Sequence, residues 1–243
     1  MPLKEHEGRH LVTSSLILIK RAVTHFNLLP KHTRLLVGVS GGVDSLALLF
    51  LLREYNKRYN QQWEITACHI DPGFPGWRTD TLRQFFGELN ITHHVVKKDI
   101  YEKIKDVTNR CYPCSRERRK TLLETASGLN IFHVALAHHK EDVAETVIMN
   151  MIYNGEISTL TPKQSVIHGR FFFVRPLYYF EKNTIRAIAE TQGLPPNKNV
   201  CPYYQESKRE VMRDFLERIH EHNPDVYKNI FRSIFHINKA YLP

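Results

Sequence analysis

Leu35-Leu36-Val37-Gly38-Val39-Ser40-Gly41-Gly42-Val43-Asp44-Ser45-Leu46-Ala47-Leu48-Leu49-Phe50-Leu51-Leu52 decides how the chain folds. The apolar run 35–39 is short and β-rich and predicts a buried parallel strand. The run 46–52 has no polar residue and predicts a buried helix. Between them, Gly41 and Gly42 let backbone amides come close to a ligand. Amides at a helix N-terminus favour anions, so a turn of this kind is built to hold phosphate. It differs from the common phosphate loop, because no Gly-Lys-Ser/Thr follows, and from the spaced-glycine dinucleotide fingerprint.

Strand and helix patterns alternate on both sides of this unit. Leu11–Phe26 has helical spacing, and the helix after the loop extends over 46–59. Trp63–Ile70 reads as a second strand, with Asp71 at its carboxyl end before Pro72-Gly73-Phe74-Pro75-Gly76. Ligands of open parallel sheets bind beyond the carboxyl ends of strands, which puts Asp71 at the nucleotide; an aspartate before Pro-Gly is also a good turn former. Thr79–Leu89 predicts a helix, Ile91–Val96 a third strand, Tyr101–Arg110 a polar helix and Ile131–Ala137 a fourth strand. The last of these runs into His138-His139-Lys140-Glu141-Asp142 and a helix to Met151 or Tyr153. After an irregular stretch come Phe171–Val174, Arg175-Pro176-Leu177 and a helix over Thr184–Gln192. Ser207-Lys208-Arg209-Glu210 is a capping box opening a helix to about His222, and a last helix covers Asp225–Ala240. The class is α/β, a doubly wound parallel sheet with a helical C-terminal appendage. The divisions are an N-terminal helix (1–30), a nucleotide-binding domain (31–200) and a helical segment packed on it (201–243).

With 42% hydrophobic and 24% charged residues, the 243-residue chain is ordinary for a soluble globular protein. A formal charge of +9 points to a polyanionic partner, nucleic acid first among them. The charged start, Met1–His10, is no signal peptide, and no apolar run is long enough to span a bilayer. A reducing cytoplasm is the expected compartment. Four cysteines there suggest metal, cluster or redox chemistry before disulfides. Cys111-Tyr112-Pro113-Cys114 has the spacing to bind a metal or cluster, with Cys201 as a third candidate ligand. An iron–sulfur cluster, zinc with a histidine, a catalytic thiol pair and an inert pair remain as readings. Cys68, inside an apolar strand, reads as core. Ser115-Arg116-Glu117-Arg118-Arg119-Lys120 follows the pair. Cations opening a helix oppose its dipole, so a solvated face explains them less well than a phosphate backbone beside the reaction centre. Lys208, Arg209 and Arg213 extend that surface.

Ser40-Gly41-Gly42-Val43-Asp44-Ser45 resembles the loop of the PP-loop ATP pyrophosphatases. Taken with Cys111-x-x-Cys114-Ser115-Arg116-x-Arg118-Arg119, His138-His139-x-Glu141-Asp142-x-x-Glu145-Thr146, Arg175-Pro176-Leu177 and Cys201, it is similar to the tRNA 2-thiocytidine synthetase (TtcA-like) family, over about Lys31 to Leu216. Val43 departs from that family's usual lysine and Glu141 from its aspartate. The resemblance implies magnesium-dependent use of ATP to activate the C2 oxygen of an anticodon-loop cytidine, with replacement of that oxygen by sulfur. It implies a 4Fe-4S cluster on Cys111, Cys114 and Cys201. It gives the phosphates to Ser40, Gly41, Gly42, Asp44 and Ser45, with Asp44 orienting ATP or magnesium and catalytic together with Cys111, Cys114 and Cys201, and further nucleotide or metal contacts to Asp71, His138, Asp142 and Arg175; the basic run assigns RNA contacts to Arg116, Arg118, Arg119, Lys120, Lys208 and Arg209. The partners expected are tRNA and a sulfur donor, either a cysteine desulfurase system or sulfide, with a homodimer as the assembly. A lysidine synthetase-like ligase, a cluster-dependent thiolase of another substrate and a non-catalytic RNA-binding protein with structural zinc are the alternatives.

Overall fold

A computed structural model describes residues 2–197, 201–204 and 207–241, with side chains from Gly8 onward. The approach to Cys201 through Asn199-Val200, and with it the expected boundary at residue 200, lies outside the described residues. A six-stranded sheet forms the centre, in the order β3-β2-β1-β4-β6-β5. The strands are β1 (Arg34–Gly38), β2 (Glu64–Asp71), β3 (Thr92–Lys97), β4 (His133–Ala135), β5 (Lys163–Val166) and β6 (Phe171–Val174). β1 pairs in parallel with β2 (Leu36 opposite Thr66) and with β4 (Leu36 opposite Val134). Being central, β1 is covered on both faces, as its unbroken apolar run requires. Leu35 and Val37 belong to one core layer and Leu36 to the other.

The first layer holds α1 (Pro2–His25), α2 (Val43–Arg58) and α7 (Lys182–Thr191), which pack on one another. α5 (Cys111–Gly128) covers the opposite face against β2 and β4. Gly38 permits that close approach, since a Cβ there would sit 3.2 Å from both Leu122 and Leu136 side-chain carbons. α6 (Lys140–Asn154) leaves β4 and carries α8 (Lys208–His222) and α9 (Val226–Ser233), with Val143, Tyr178 and Phe231 buried together. The remaining helices are α3 (Asp80–Glu88) and the short α4 (Ile100–Ile104).

The expected parallel doubly wound core is present, with one antiparallel addition, β5 on β6 (Gln164 opposite Phe173). Lys163-Gln164-Ser165-Val166 has no apolar alternation, because an edge strand needs little core contact. Of the expected Tyr101–Arg110 helix, only Tyr101–Ile104 is helical, as part of Ile100–Ile104, with Ile100 and Ile104 the buried residues that hold it. The last helix ends at Ser233, short of Ala240, as its apolar anchors Val226 and Phe231 lie in its first two turns.

Candidate active site

Beyond Gly38 the β1 ladder continues one step, Val39 N–H donating to the Cys68 carbonyl at 2.8 Å, and then the chain turns. Gly41 has φ +92°, a left-handed conformation that a side chain would strain. Gly42 is the N-cap of α2 and offers no side chain to the helix amides. The first-turn N–H groups of α2 are therefore placed to receive an anion, with the helix dipole behind them. Ser45 Oγ donates to the Gly42 carbonyl at 2.8 Å and lies 3.2 Å from Ser40 Oγ, which fixes the loop. Asn197 donates its backbone N–H to the Gly41 carbonyl at 2.9 Å and its amide to the Arg78 carbonyl at 3.0 Å.

A charged network at the start of α6 meets the loop. His139 is buried, with Nδ1 2.9 Å from Glu141 Oε2 and Nε2 3.3 Å from Asp142 Oδ2 and 3.9 Å from Asp44 Oδ1. Burial pulls its pKa down, but the carboxylates of Glu141, Asp142 and Asp44 outweigh it and hold the ring above its ordinary value. Asp142 also accepts the His139 backbone N–H at 3.0 Å and pairs with Arg209 at 3.0 Å. Burial would raise its pKa, yet His139, His138 and Arg209 keep it below the usual range. Asp44 is raised, chiefly by burial, with His139 opposing. It is the half-exposed carboxylate that looks into the cavity.

His138 is held neutral. Burial pushes its pKa down to about 3, and its Nδ1 accepts from Arg175 Nε at 3.2 Å. The same guanidinium donates to the Thr161 carbonyl and to Gln164 Oε1 at 3.0 Å. Arg175 is 2% exposed, so the expected contact with phosphate is corrected: its donors serve β5 and His138. Asp71 ends β2 and accepts the Gly73 N–H at 2.9 Å, the turn-forming arrangement.

One cavity of about 830 Å³ joins the loop to the cysteines. Ser40, Gly41, Gly42 and Asp44 line one part and Cys111, Cys114 and Cys201 another, with Trp77, Arg118, Tyr203 and Arg213 between and around them. Cys111 and Cys114 lie in the first turn of α5, so the helix itself presents both thiols to the cavity. Burial raises the Cys114 thiol; the Arg118 charge opposes this and the neighbouring Cys201 and Cys111 add to it. Among the described residues, no three His, Cys, Asp or Glu side chains converge closely enough to hold a single metal ion. Cys111, Cys114 and Cys201 all line the cavity. The donor set, three thiols with a cation beside them, fits an iron–sulfur cluster.

Three of the residues expected to meet RNA have protein partners of their own. Arg118 turns inward beside Cys114 and Cys201, its pKa lowered by burial, with those thiols opposing the shift. Arg209 is occupied by Asp142 and by Thr146 Oγ1 at 3.2 Å. Lys208 lies over the Tyr153 ring at 4.4 Å. Arg116, Arg119 and Lys120 remain on the exposed side of α5. Sequence reasoning missed Trp77 and His69. His69 stands among consecutive buried residues of β2, and only its complete burial marks it out.

The PP-loop domain family matches residues 16–218. The chain is 31% identical to the tRNA-cytidine(32) 2-sulfurtransferase of Syntrophotalea carbinolica over 93% of this chain and 89% of that protein. It is 32% identical to the enzyme of the same name from Pseudomonas fluorescens, over 89% and 81%. The U34-tRNA thiolase NcsA from Methanococcus maripaludis, solved with its [4Fe-4S] cluster, superposes with a TM-score of 0.77 at 24% identity. That superposition covers 93% of this chain and 78% of the other, and at this identity it speaks to the fold. The chain belongs to the PP-loop domain family and, within it, to the family of the tRNA-cytidine(32) 2-sulfurtransferases.

Proposed function

We infer that this chain is an ATP-dependent tRNA sulfurtransferase that replaces the C2 oxygen of an anticodon-loop cytidine with sulfur. The observation that carries the reading is the single cavity shared by the phosphate-binding loop and the three cysteines outside the core. A carbonyl oxygen is a poor leaving group, and activation by ATP remedies this. The cytosine O2 attacks the α-phosphorus and pyrophosphate departs; sulfide then adds at C2 and the oxygen leaves with AMP. The loop amides at α2 offer fixed donors for the phosphate charge that develops. Mg²⁺ usually takes one or two carboxylates beside substrate phosphates, and Asp44 is the group we assign to it. Cys111, Cys114 and Cys201 would hold the cluster, whose open iron supplies a place for sulfide when it is bound. The glutamate–histidine–aspartate set of Glu141, His139 and Asp142 holds the entrance of α6 rigid beside Asp44.

Residues 31–200 are proposed as the ATP-binding unit, with 201–243 closing it over α6. No helix of the described residues is long and apolar enough to cross a membrane. We place the reaction in the cytoplasm, with a desulfurase system or free sulfide as donor and a homodimer as the assembly.

The test is anaerobic purification, iron and acid-labile sulfide analysis, and mass spectrometry of nucleosides from tRNA incubated with ATP and sulfide. Wild type is expected to carry about four irons and four sulfides and to make 2-thiocytidine. Cys201→Ala should lose both cluster and product, while Asp44→Ala keeps the cluster and loses the product. 2-Thiocytidine made by a cluster-free Cys201→Ala protein would overturn the cluster's part in the mechanism, whereas an ATP-dependent product without sulfur from wild type would favour a lysidine-type ligase.

A further inference from the structure

Trp77 is half-buried and lines the cavity between the loop and the cysteines. A chain of hydrogen bonds sets its position. Its Nε1–H donates to His69 Nε2 at 3.0 Å, and His69 Nδ1 lies 2.7 Å from the Val39 carbonyl. With Nε2 accepting, Nδ1 carries the proton and donates, so His69 is the neutral tautomer. His69 is fully buried, and both ring nitrogens are used to tie the indole to the residue before Ser40. The two rings lie 19° from coplanar with centroids 5.8 Å apart, an edge-to-edge pairing that uses the indole rim. Phe74 braces the ring at 5.9 Å and 44°, backed by Tyr101 against Phe74. Asn197 locks the next residue, Arg78, to the loop through Gly41. An indole registered this closely to a phosphate loop is more constrained than core filling requires.

We propose that Trp77 is the stacking platform for the target pyrimidine, and so a positioning residue for the RNA base. This rests on the thiolation reading. That chemistry needs one base atom to meet the α-phosphate and then sulfide, so the base must lie between the loop and the cysteines. Trp77 lines that cavity. Single-stranded RNA bases are commonly splayed out and stacked on aromatic side chains, which accept any pyrimidine face. The Arg110 guanidinium over the Tyr203 ring at 4.5 Å adds a second aromatic surface lining the same cavity.

Trp63 is the other tryptophan and is buried, so a Trp63→Phe protein reports Trp77 fluorescence alone. Labelled anticodon stem-loop RNA is titrated into it, and anisotropy is read beside tryptophan emission. An RNA abasic at the target position and ATP alone serve as parallel arms. Quenching by the intact RNA, with the abasic RNA binding but not quenching and ATP silent, is the expected result. Trp77→Ala should raise KM for the RNA roughly tenfold, and Trp77→Phe, which keeps a ring but loses the bond to His69, should fall between Trp77→Ala and wild type. Both variants should keep the iron content and KM for ATP. Quenching by ATP would assign the ring to adenine and overturn the proposal. Tight RNA binding and thiolation without quenching would overturn it and leave thiolation standing. Absence of RNA binding in the anisotropy channel would sink the thiolation reading as well.

Discussion

His138 and His139 are adjacent in sequence, and folding shifts their pKa values in opposite directions. His139 has two carboxylates on its ring nitrogens, whereas His138 faces the Arg175 guanidinium at 3.2 Å. A histidine whose pKa falls to about 3 on folding makes the protein acid-sensitive in a defined window. Above an ordinary imidazole pKa near 6.5 both folded and unfolded chains hold the ring neutral. As pH falls from there toward 3, the unfolded chain binds the proton and the folded one does not, so stability is lost. In urea melts between pH 6.5 and 4, His138→Gln should therefore lose less stability than wild type. Equal slopes would show that His138 is not held neutral. The dipeptide His138-His139 suggested a ligand site in the sequence. Which ring is neutral was not legible there, because Arg175 reaches His138 from 37 residues away.

At the scale of elements, α8 is fastened over α6 by charge as much as by its apolar face. Arg213 Nε donates to buried Glu145 at 3.1 Å, and Arg209 reaches Asp142 one turn earlier. Glu145 Oε2 is buried and has no hydrogen-bond partner. Burial raises the Glu145 pKa and Arg213 opposes that rise, so the pair depends on the arginine. Removing one partner of a buried pair leaves an uncompensated charge, and Arg213→Ala should cost about 3 kcal/mol in a chemical denaturation curve. Glu145→Leu with Arg213→Met, apolar on both sides, should recover most of that loss. A double variant as unstable as the single would show that packing, not the unpaired charge, sets the cost. The Ser207 cap of α8 was readable from its Ser-x-x-Glu box, and Ser207 Oγ accepts the Glu210 N–H at 3.1 Å. β5 was not, since its four residues owe their strand to β6 rather than to their own pattern. The cationic run after Cys114 was visible, but sequence spacing did not separate Arg118, which points into the cavity, from its exposed neighbours.

For the molecule as a whole, a charge of +9 has to be read through this sorting of inward and outward cations. Arg118, Arg175, Arg209 and Arg213 are engaged inside or at the rim of the site. Exposed Arg116, Arg119 and Lys120 follow the two thiols on α5, with Lys120 64% exposed. We propose that they meet the phosphate backbone flanking a base that enters the cavity. Each phosphate neutralised by a cation releases counterions, so the logarithm of affinity falls with the logarithm of salt in proportion to the number of such contacts. Replacing all three by alanine should weaken stem-loop binding and flatten that salt dependence by roughly two units of slope. KM for ATP and the iron content should stay at wild-type values, because none of the three side chains lines the cavity. An unchanged slope would move the RNA footprint off α5, toward the basic positions of α9 at Lys228 and Arg232. It would also mean that the base reaches the cysteines from the side of the C-terminal helices.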